Sequence, residues 1–211
     1  MGSGRPRHYA PGIARREAIM VAAFEAFGKI GYWNTTIAQI AEDCGVTRAG
    51  LLHHFQTKEA LLEAVLQRRD ELNRGQIFHG TLDPRGDPRD FLQRMVRLVE
   101  RNASQPGIVN LFAVLAAEAT HPEHPAHAYF VARYSTVRGW LREALEALQS
   151  SNQMRQDVDV ERVSIELTAL LDGLQVQWLY SPDVIDMPSQ FQVRVDELLS
   201  EPLDVSLPPR D

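Results

Sequence analysis

Three histidines have a spacing that raises the question of a metal site. His121, His124 and His127 lie three residues apart in the segment HPEHPAH, and Glu118 lies about one helical turn before them. Imidazole and carboxylate groups are ligands that zinc accepts in proteins. Two prolines within the segment, however, interrupt any continuous helical face on which these side chains could converge. We therefore expect the segment to end one helix and begin the next, with no metal bound.

The other reactive groups form no catalytic pattern. Cys44 is the only cysteine, so an intramolecular disulfide is excluded, and its place at the end of a short amphipathic helix favours a small hydrophobic side chain over a redox switch. The sequence has no glycine-rich phosphate loop, no HExxH metal pair and no GxSxG nucleophile turn. We expect no cofactor and no catalysis. A helical enzyme with its site in a cavity is the alternative.

A different chemistry, the reading of DNA, is indicated by two short helices and the turn between them. Thr36 opens a T-x-x-Q pattern in which Gln39 can return a hydrogen bond to the helix cap. Thr47 can cap a second helix only two residues after Gly45. This spacing makes two short helices cross, which predicts a helix-turn-helix. In such motifs the N-terminal part of the second helix lies in the major groove.

The charge distribution agrees with a DNA-reading segment at the start of the chain. The 211 residues carry a formal charge of −6, yet residues 1–58 hold seven Lys or Arg against four Asp or Glu, or +3, which leaves −9 for the rest. Neutralising phosphates requires only a local positive patch. Apolar residues make up 44% of the chain and charged residues 24%, which is ordinary for a globular protein and excludes a disordered one.

The segment TTIAQIAEDCGVTRAGLLHHFQTKEALL, from Thr35 to Leu62, resembles the DNA-binding signature of the TetR family of bacterial one-component regulators. The likeness covers the cap, both short helices, the Gly-Val turn, the His54-Phe55 pair and Lys58, and beyond this segment it is one of helix layout. It implies an all-α fold, with an N-terminal helix-turn-helix DNA-binding domain and a larger helical-bundle domain for effector binding and dimerisation. It also implies a sequence-specific regulator, a repressor more readily than an activator. A helix-turn-helix regulator without any effector is the alternative.

The implied partners are double-stranded operator DNA, a second copy of the chain and an unidentified small molecule. Arg48 is the principal candidate for reading a base, because arginine can form a bidentate pair with guanine. The resemblance implies phosphate contacts from Thr36, from the residues just before His54, and from Lys58. The predicted DNA contacts are Thr36, Thr47, Arg48, Ala49, Gly50, Leu52, His53, His54 and Lys58.

Three of these positions depart from the pattern of the family. Leu52 and His53 stand where the family usually has one or two tyrosines, and Gly50 replaces a residue that is often threonine. Leu52 cannot donate a hydrogen bond to a phosphate, although it could contact a thymine methyl group. We therefore expect an atypical grip on the phosphate backbone.

The remainder of the chain is predicted to be helical throughout. Apolar stripes of helical period recur along it, with no strand alternation and no repeat. We expect residues 11–57 to form the DNA-binding domain and residues 58–200 a linking helix with the effector-binding and dimerisation domain. Residues 1–10 are expected to form a flexible arm that either enters the minor groove or only aids solubility, and residues 201–211 a disordered tail.

The resemblance implies an effector pocket among the body helices, apolar in the main with a few polar groups that orient the ligand. The candidates for this pocket are Phe112, Glu118, Tyr134, Trp140, Gln175 and Trp178.

The last two helices are predicted to form the dimer interface. The penultimate helix is apolar nearly all round, so it must be covered on several sides. A two-fold dimer would cover it and would present two reading helices to a palindromic site. Coverage by helices of the same chain is the alternative. The candidate interface residues are Leu167, Leu171, Leu174, Phe191, Val195 and Leu198.

The sequence gives no sign of a membrane protein or of export. It has no apolar run long enough to cross a bilayer, and its first residues lack the apolar middle of a signal peptide. A single cysteine points to no oxidising compartment. We expect a cytoplasmic protein that does not bind membranes.

Overall fold

The computed structural model contains nine α-helices within the residues that it describes, 9–76 and 83–205. They are α1 (Tyr9–Asn34), α2 (Ile37–Asp43), α3 (Arg48–His54), α4 (Lys58–Gln76), α5 (Pro88–Ala103), α6 (Pro106–Glu118), α7 (His127–Ser150), α8 (Val160–Tyr180) and α9 (Met187–Asp196). Within these two ranges there is no β-strand, and Met154 and Leu199 form an isolated bridge. The all-α prediction is confirmed. The greater part of the predicted N-terminal arm, residues 1–8, lies outside the described residues.

The first helix is kinked near its end by a glycine. Gly31 has φ 80° and ψ 171°, a conformation open almost only to glycine, and the residues up to Asn34 form a last turn beyond it. The kink turns the backbone N–H of Tyr32 toward α6, where it meets a carboxylate.

Two hydrophobic clusters organise the chain. One joins α1, α2, α3 and the first half of α4 to α6 and the start of α7, and it includes Phe27, Leu51 and Leu115. The other joins α5, the second half of α7, α8 and α9, and it includes Leu145 and Leu167. The predicted DNA-binding helices therefore share a core with α6 and are not packed separately from the rest of the chain.

The predicted disordered tail is corrected for residues 201–205. Leu203 is buried, and its backbone N–H donates to the Asp196 carboxylate at 2.7 Å. The Arg89 guanidinium on α5 donates to the carbonyls of Glu201 and Pro202. This part of the chain is ordered because its apolar side chain and its backbone groups find partners on α5 and α9. Residues 206–211 lie outside the described residues.

Among the described residues, no helix combines the length and the apolar character that crossing a membrane requires.

Candidate nucleic-acid interface and body cavity

The two short helices α2 and α3 are held by local capping contacts. The Thr36 hydroxyl accepts a hydrogen bond from the Gln39 N–H at 3.2 Å, and the Thr47 hydroxyl accepts one from the Gly50 N–H at 3.0 Å. Between the helices, Gly45 has φ 67°, which favours glycine. The Val46 N–H closes the turn by donating to the Ala41 carbonyl at 2.9 Å. The helix-turn-helix is present, and we call residues 36–55 the reading head.

The outer face of α3 carries the residues that were predicted to contact DNA. Leu51 and Phe55 are buried beneath it and fix its orientation. Gly50, Leu52 and His54 are half-buried, whereas the exposed members are Thr36, Thr47, Arg48, Ala49 and His53. All of these positions except Thr36 lie on α3 or at its N-cap, and Thr36 caps α2. Their contacts with DNA stay a prediction.

Lys58 has a structural role that the sequence did not indicate. Its ammonium donates to the carbonyls of Tyr32 and Thr35, both at 2.9 Å, and lies 4.0 Å from the centre of the Tyr32 ring. Burial lowers the pKa of Lys58 from its usual value. The side chain joins the end of α1 to the start of α4, so a phosphate would have to compete with two carbonyls for it.

Arg16 is a candidate interface residue that the sequence reasoning missed. Its guanidinium lies 4.1 Å from the centre of the Phe55 ring and donates weakly to the His54 carbonyl at 3.4 Å. This places an exposed positive charge beside the end of α3. The pair Arg15-Arg16 was visible in the sequence, but nothing local showed that α1 would present it next to the reading head.

Glu118 was predicted to line an effector pocket, and the structure places it elsewhere. Its carboxylate accepts the Tyr32 N–H at 2.7 Å, where a side chain at Gly31 would overlap it. The Tyr32 hydroxyl in turn donates to Glu59 on α4 at 2.7 Å. Burial and this hydrogen bond raise the pKa of Tyr32, and the same bond lowers the pKa of Glu59. We call Gly31, Tyr32, Lys58, Glu59 and Glu118 the junction, because they join α1, α4 and α6.

The three histidines of the HPEHPAH segment make separate backbone contacts. His124 is buried, its Nδ1 accepts the Ala126 N–H at 3.1 Å, and its Nε2 lies 3.7 Å from Glu118. Burial lowers the pKa of His124. The Nδ1 of His127 bonds to the Ala119 carbonyl at 2.7 Å. Across the described ranges, no three His, Cys, Asp or Glu side chains are grouped so that they could hold a metal ion.

Two adjoining cavities of about 300 and 440 Å³ lie between the described helices of the body. They lie between the two hydrophobic clusters, with Phe112 and Phe130 from one and Met95 and Val99 from the other in their walls. Both cavities are lined by Asn73, Asn102, Arg133, Tyr134, Asp172 and Gln175, and we call the pair the body cavity. Its walls come from α4, α5, α6, α7 and α8.

Four of the six predicted pocket residues line this cavity, namely Phe112, Tyr134, Trp140 and Gln175. Glu118 belongs to the junction, and Trp178 is buried in the cluster of α5, α7, α8 and α9. The sequence missed the polar residues at the α4 side of the cavity, above all Arg69 and Asn73. Arg69 follows Arg68 in a charged stretch that is typical of a solvated helix end, so no local signal marked it as buried.

The predicted dimer interface is corrected in its residues. Leu167, Leu174, Phe191, Val195 and Leu198 are buried in the core of the same chain, so a partner cannot reach these five side chains. Leu171 is partly buried against the same core. A different face of α8 is exposed. Ile165, Ala169, Val176 and Tyr180 fall at intervals of four, seven and four residues, which aligns them along one side of the helix.

Two family models match the chain. One, described as bacterial regulatory proteins of the tetR family, covers residues 19–65, and the other, described as the C-terminal part of BetI-type transcriptional repressors, covers residues 88–201. The probable HTH-type transcriptional regulator ArpR of Pseudomonas putida is 30% identical over 185 residues, which are 86% of this chain and 88% of that protein. The HTH-type transcriptional regulator TtgR, also of Pseudomonas putida, is 29% identical over the same shares of the two chains.

Solved structures share the fold. A SmeT-triclosan complex has a TM-score of 0.73 at 18% identity and covers 94% of this chain and 100% of that one. SmeT is described as the repressor of the Stenotrophomonas maltophilia multidrug efflux pump SmeDEF. A putative TetR-family transcriptional regulator from Rhodococcus sp. has a TM-score of 0.67 at 24% identity and covers 88% of this chain and 98% of that one.

Proposed function

The chain belongs to the TetR family of bacterial regulatory proteins, and we propose that it is a homodimeric repressor of the cytoplasm that binds a palindromic operator and releases it when a small molecule fills the body cavity. The observation that carries this proposal is the connection made by α4. This helix begins at Lys58 and Glu59 in the junction, and eleven residues later it contributes Arg69 to the cavity wall. A catalytic role has no support among the matched relatives, which are regulators.

DNA reading is assigned to the exposed face of α3. Arg48 stands at the first position of that helix, and its exposed guanidinium is free to enter the major groove. A bidentate arginine contact with guanine discriminates against other bases by about 1 to 3 kcal/mol. His53, and Arg16 beside the end of the same helix, are further exposed groups that could reach phosphates.

Selection of bound sequences from a random DNA library is the direct test. We expect one palindromic motif for the native protein. With Arg48→Ala we expect affinity for that motif to fall about 5- to 150-fold and the preference at one base pair of each half-site to disappear. Arg97→Ala, which removes an exposed arginine from α5, is the matched control and should leave the motif unchanged. A random population of bound sequences for the native protein would refute the proposal.

Effector release is assigned to α4 and the junction. A ligand between α4 and α7 would press on a helix whose first turn is tied to α1 by Lys58 and by the Glu59–Tyr32 hydrogen bond. Movement of α4 would therefore change the orientation of the reading head. Coupling of this kind requires that the ligand bind the released state more tightly than the DNA-bound state. The presence of a cavity favours this mechanism over a regulator without an effector.

Dimerisation is assigned to the exposed face of α8. Tyr180 is 86% exposed, Ile165 47% and Val176 45%, and a row of exposed apolar side chains of this kind is typical of a protein interface. We expect Ile165→Glu to convert a dimer into a monomer in light scattering at micromolar concentration. Val131→Glu places a glutamate at an exposed apolar position of α7 and should leave the dimer intact. A native protein that is monomeric at all concentrations would refute this assignment.

A further inference from the structure

The α4 side of the body cavity presents hydrogen-bond donors. The Arg69 guanidinium donates to the side-chain oxygens of Asn73 and Asn102. Because arginine has no acceptor, the amide oxygens must face it, which leaves the NH₂ groups of both asparagines as donors. Both asparagines line the cavity, and Arg69 itself is 4% exposed with an Nε–H that has no partner among the described residues.

Among the described residues, no carboxylate forms an ion pair with the Arg69 guanidinium. Asp70, its neighbour in the chain, is engaged instead by the Arg133 guanidinium and by the Tyr129 hydroxyl, both at 3.0 Å. Burial, together with the charges of Arg101 and Arg133, lowers the pKa of Arg69 to about 10. The group is thus still protonated at neutral pH. A buried charge without a counter-ion is costly, so the site favours an anion that would supply one.

The opposite wall does not cancel this charge. Asp172 on α8 is hydrogen-bonded to the Tyr134 hydroxyl, and burial raises its pKa. The charged residues that line the cavity are Arg69, Arg74, Arg133, Asp70 and Asp172. Together they carry +1 if Asp172 is ionised and +2 if it is protonated. In either state the cavity has an excess of positive charge.

The rest of the wall is apolar. Phe112, Phe130, Ile108 and Val109 line the part next to Arg69, and Trp140, Met95 and Leu171 line the adjoining part. The volumes of about 300 and 440 Å³ are those of a cavity for an organic molecule of two or three rings and are far larger than a water molecule needs. A hydrophilic inorganic anion would leave this apolar surface uncovered.

We propose that the effector is an amphiphilic organic anion, whose carboxylate, sulfonate or phosphate group is bound by Arg69, Asn73 and Asn102 while its apolar body lies against Phe112 and Trp140. This inference rests on the proposed function and specifies the ligand class of the same cavity. Such an anion would bridge α4, which carries Arg69 and Asn73, and α5, which carries Asn102. It would therefore act directly on the helix that leads to the junction.

A matched pair of fluorescent probes tests the charge requirement on the native protein. The probe 8-anilinonaphthalene-1-sulfonate combines an apolar body with one sulfonate, and N-phenyl-1-naphthylamine is the same body without it. Charge-assisted hydrogen bonds are stronger than neutral ones, so we expect the sulfonate to bind at least about tenfold more tightly. Equal affinities, or a preference for the neutral probe, would overturn the proposal.

Two substitutions test whether the sulfonate binds at Arg69. Asn102→Asp keeps the shape of the side chain but sets a carboxylate beside Arg69, so it should raise the melting temperature and weaken sulfonate binding about tenfold or more, with the neutral probe unaffected. Arg69→Met should likewise abolish the preference for the sulfonate. Arg68→Met, which makes the same change at the preceding, exposed arginine of α4 outside both cavities, should alter either affinity less than about twofold. Because Asn102→Asp supplies a counter-ion, it tests the site without threatening the fold.

Operator binding, measured with both probes present, separates this inference from the proposed function. Release of DNA by the sulfonate alone supports both. Release by the neutral probe alone overturns the anion requirement and leaves the ligand-responsive repressor standing. If neither probe enters the cavity or changes the affinity for DNA, the result contradicts both the anion requirement and the proposed release of the operator by a small molecule.

Discussion

The reading head and the body cavity present their polar groups in opposite ways. In the reading head the cap contacts join residues three apart, as Thr36 and Gln39 do, and Arg48 is exposed. In the cavity the contacts join helices far apart in sequence, as Arg69 and Asn102 do, and the groups are buried. The proposed DNA-binding surface is therefore defined by short-range signals, whereas the proposed ligand site depends on charges that only the tertiary fold brings together.

This difference sets what each region tolerates. An exposed side chain of the reading head can be replaced with little effect on stability, because water takes over its hydrogen bonds. A polar side chain of the cavity has neighbours that lose their partners when it is removed. Substitutions on the surface of the head should thus change function without changing stability, whereas substitutions in the cavity and the junction should change both.

The largest effect is expected beneath the reading head. Leu51→Ala removes a fully buried side chain that holds α3 against α1 and α2, and we expect a loss of about 2 to 5 kcal/mol in the free energy of unfolding. Operator binding should be lost together with the fold of the head. Leu52→Ala, at the neighbouring half-buried position, should change stability by less than about 1 kcal/mol while it alters DNA affinity. Calorimetry and operator titration measure the two quantities, and equal destabilisation by both variants would contradict the comparison.

The sequence predicted the reading head well because its signals are local. The caps at Thr36 and Thr47, the turn at Gly45 and the inward position of Leu51 all follow from residues within a few positions of one another. The helix order of the body was also predictable from apolar periodicity. Residues 201–205 were expected to be disordered, since nothing in their sequence reveals that Arg89, more than 110 positions earlier, contacts them.

The partners of long-range polar groups could not be predicted. Glu118 was expected in a pocket, yet it binds the N–H beside a glycine 87 positions earlier, which has no side chain to exclude it. Helix periodicity identified apolar faces on α8 and α9 but not which face packs inside the chain. Leu167 is buried and Ile165 is exposed, although both belong to the apolar surface of the same helix.

The next effect is expected at the junction, where head and body meet. Glu118→Ala leaves the buried Tyr32 N–H without an acceptor, which costs about 1 to 3 kcal/mol. It also removes a direct contact between α6 and the end of α1, so we expect an effector to release less DNA from this variant than from the native protein. Unfolding and ligand-dependent operator binding report the two effects. Glu123→Ala, at an exposed glutamate of the neighbouring turn, serves as the control. If the effector releases as much DNA from Glu118→Ala as from the native protein, the junction does not transmit ligand binding.

Gly45 in the reading head and Gly139 in the body differ in backbone conformation, so the same replacement by alanine should have opposite effects on stability. Gly45 has φ 67° in open space, so Gly45→Ala should destabilise the protein by about 1 kcal/mol through the backbone alone. Gly139 lies inside α7, also with nothing near its missing Cβ, so Gly139→Ala should stabilise by about 0.5 to 1 kcal/mol. Denaturant midpoints of the two variants should therefore move in opposite directions. A stabilising Gly45→Ala would show that the turn does not need glycine.

The smallest effect is expected as a pH dependence of stability at His124, which lies against the junction. Burial lowers the pKa of His124 below its ordinary 6.5, although Glu118 opposes this and Lys58 adds to it. The folded protein then binds fewer protons than the unfolded chain, so stability is fully present above about pH 6.5 and falls as the pH drops through the folded-state pKa. His124→Asn retains an acceptor for the Ala126 N–H and removes the titration, which should flatten the melting temperature between about pH 7.5 and 5.5. His121→Asn, the same replacement on an exposed ring, should keep the slope of the native protein. If His124→Asn keeps that slope as well, the acid sensitivity belongs to another group, and the junction is not where protons act on the link between head and body.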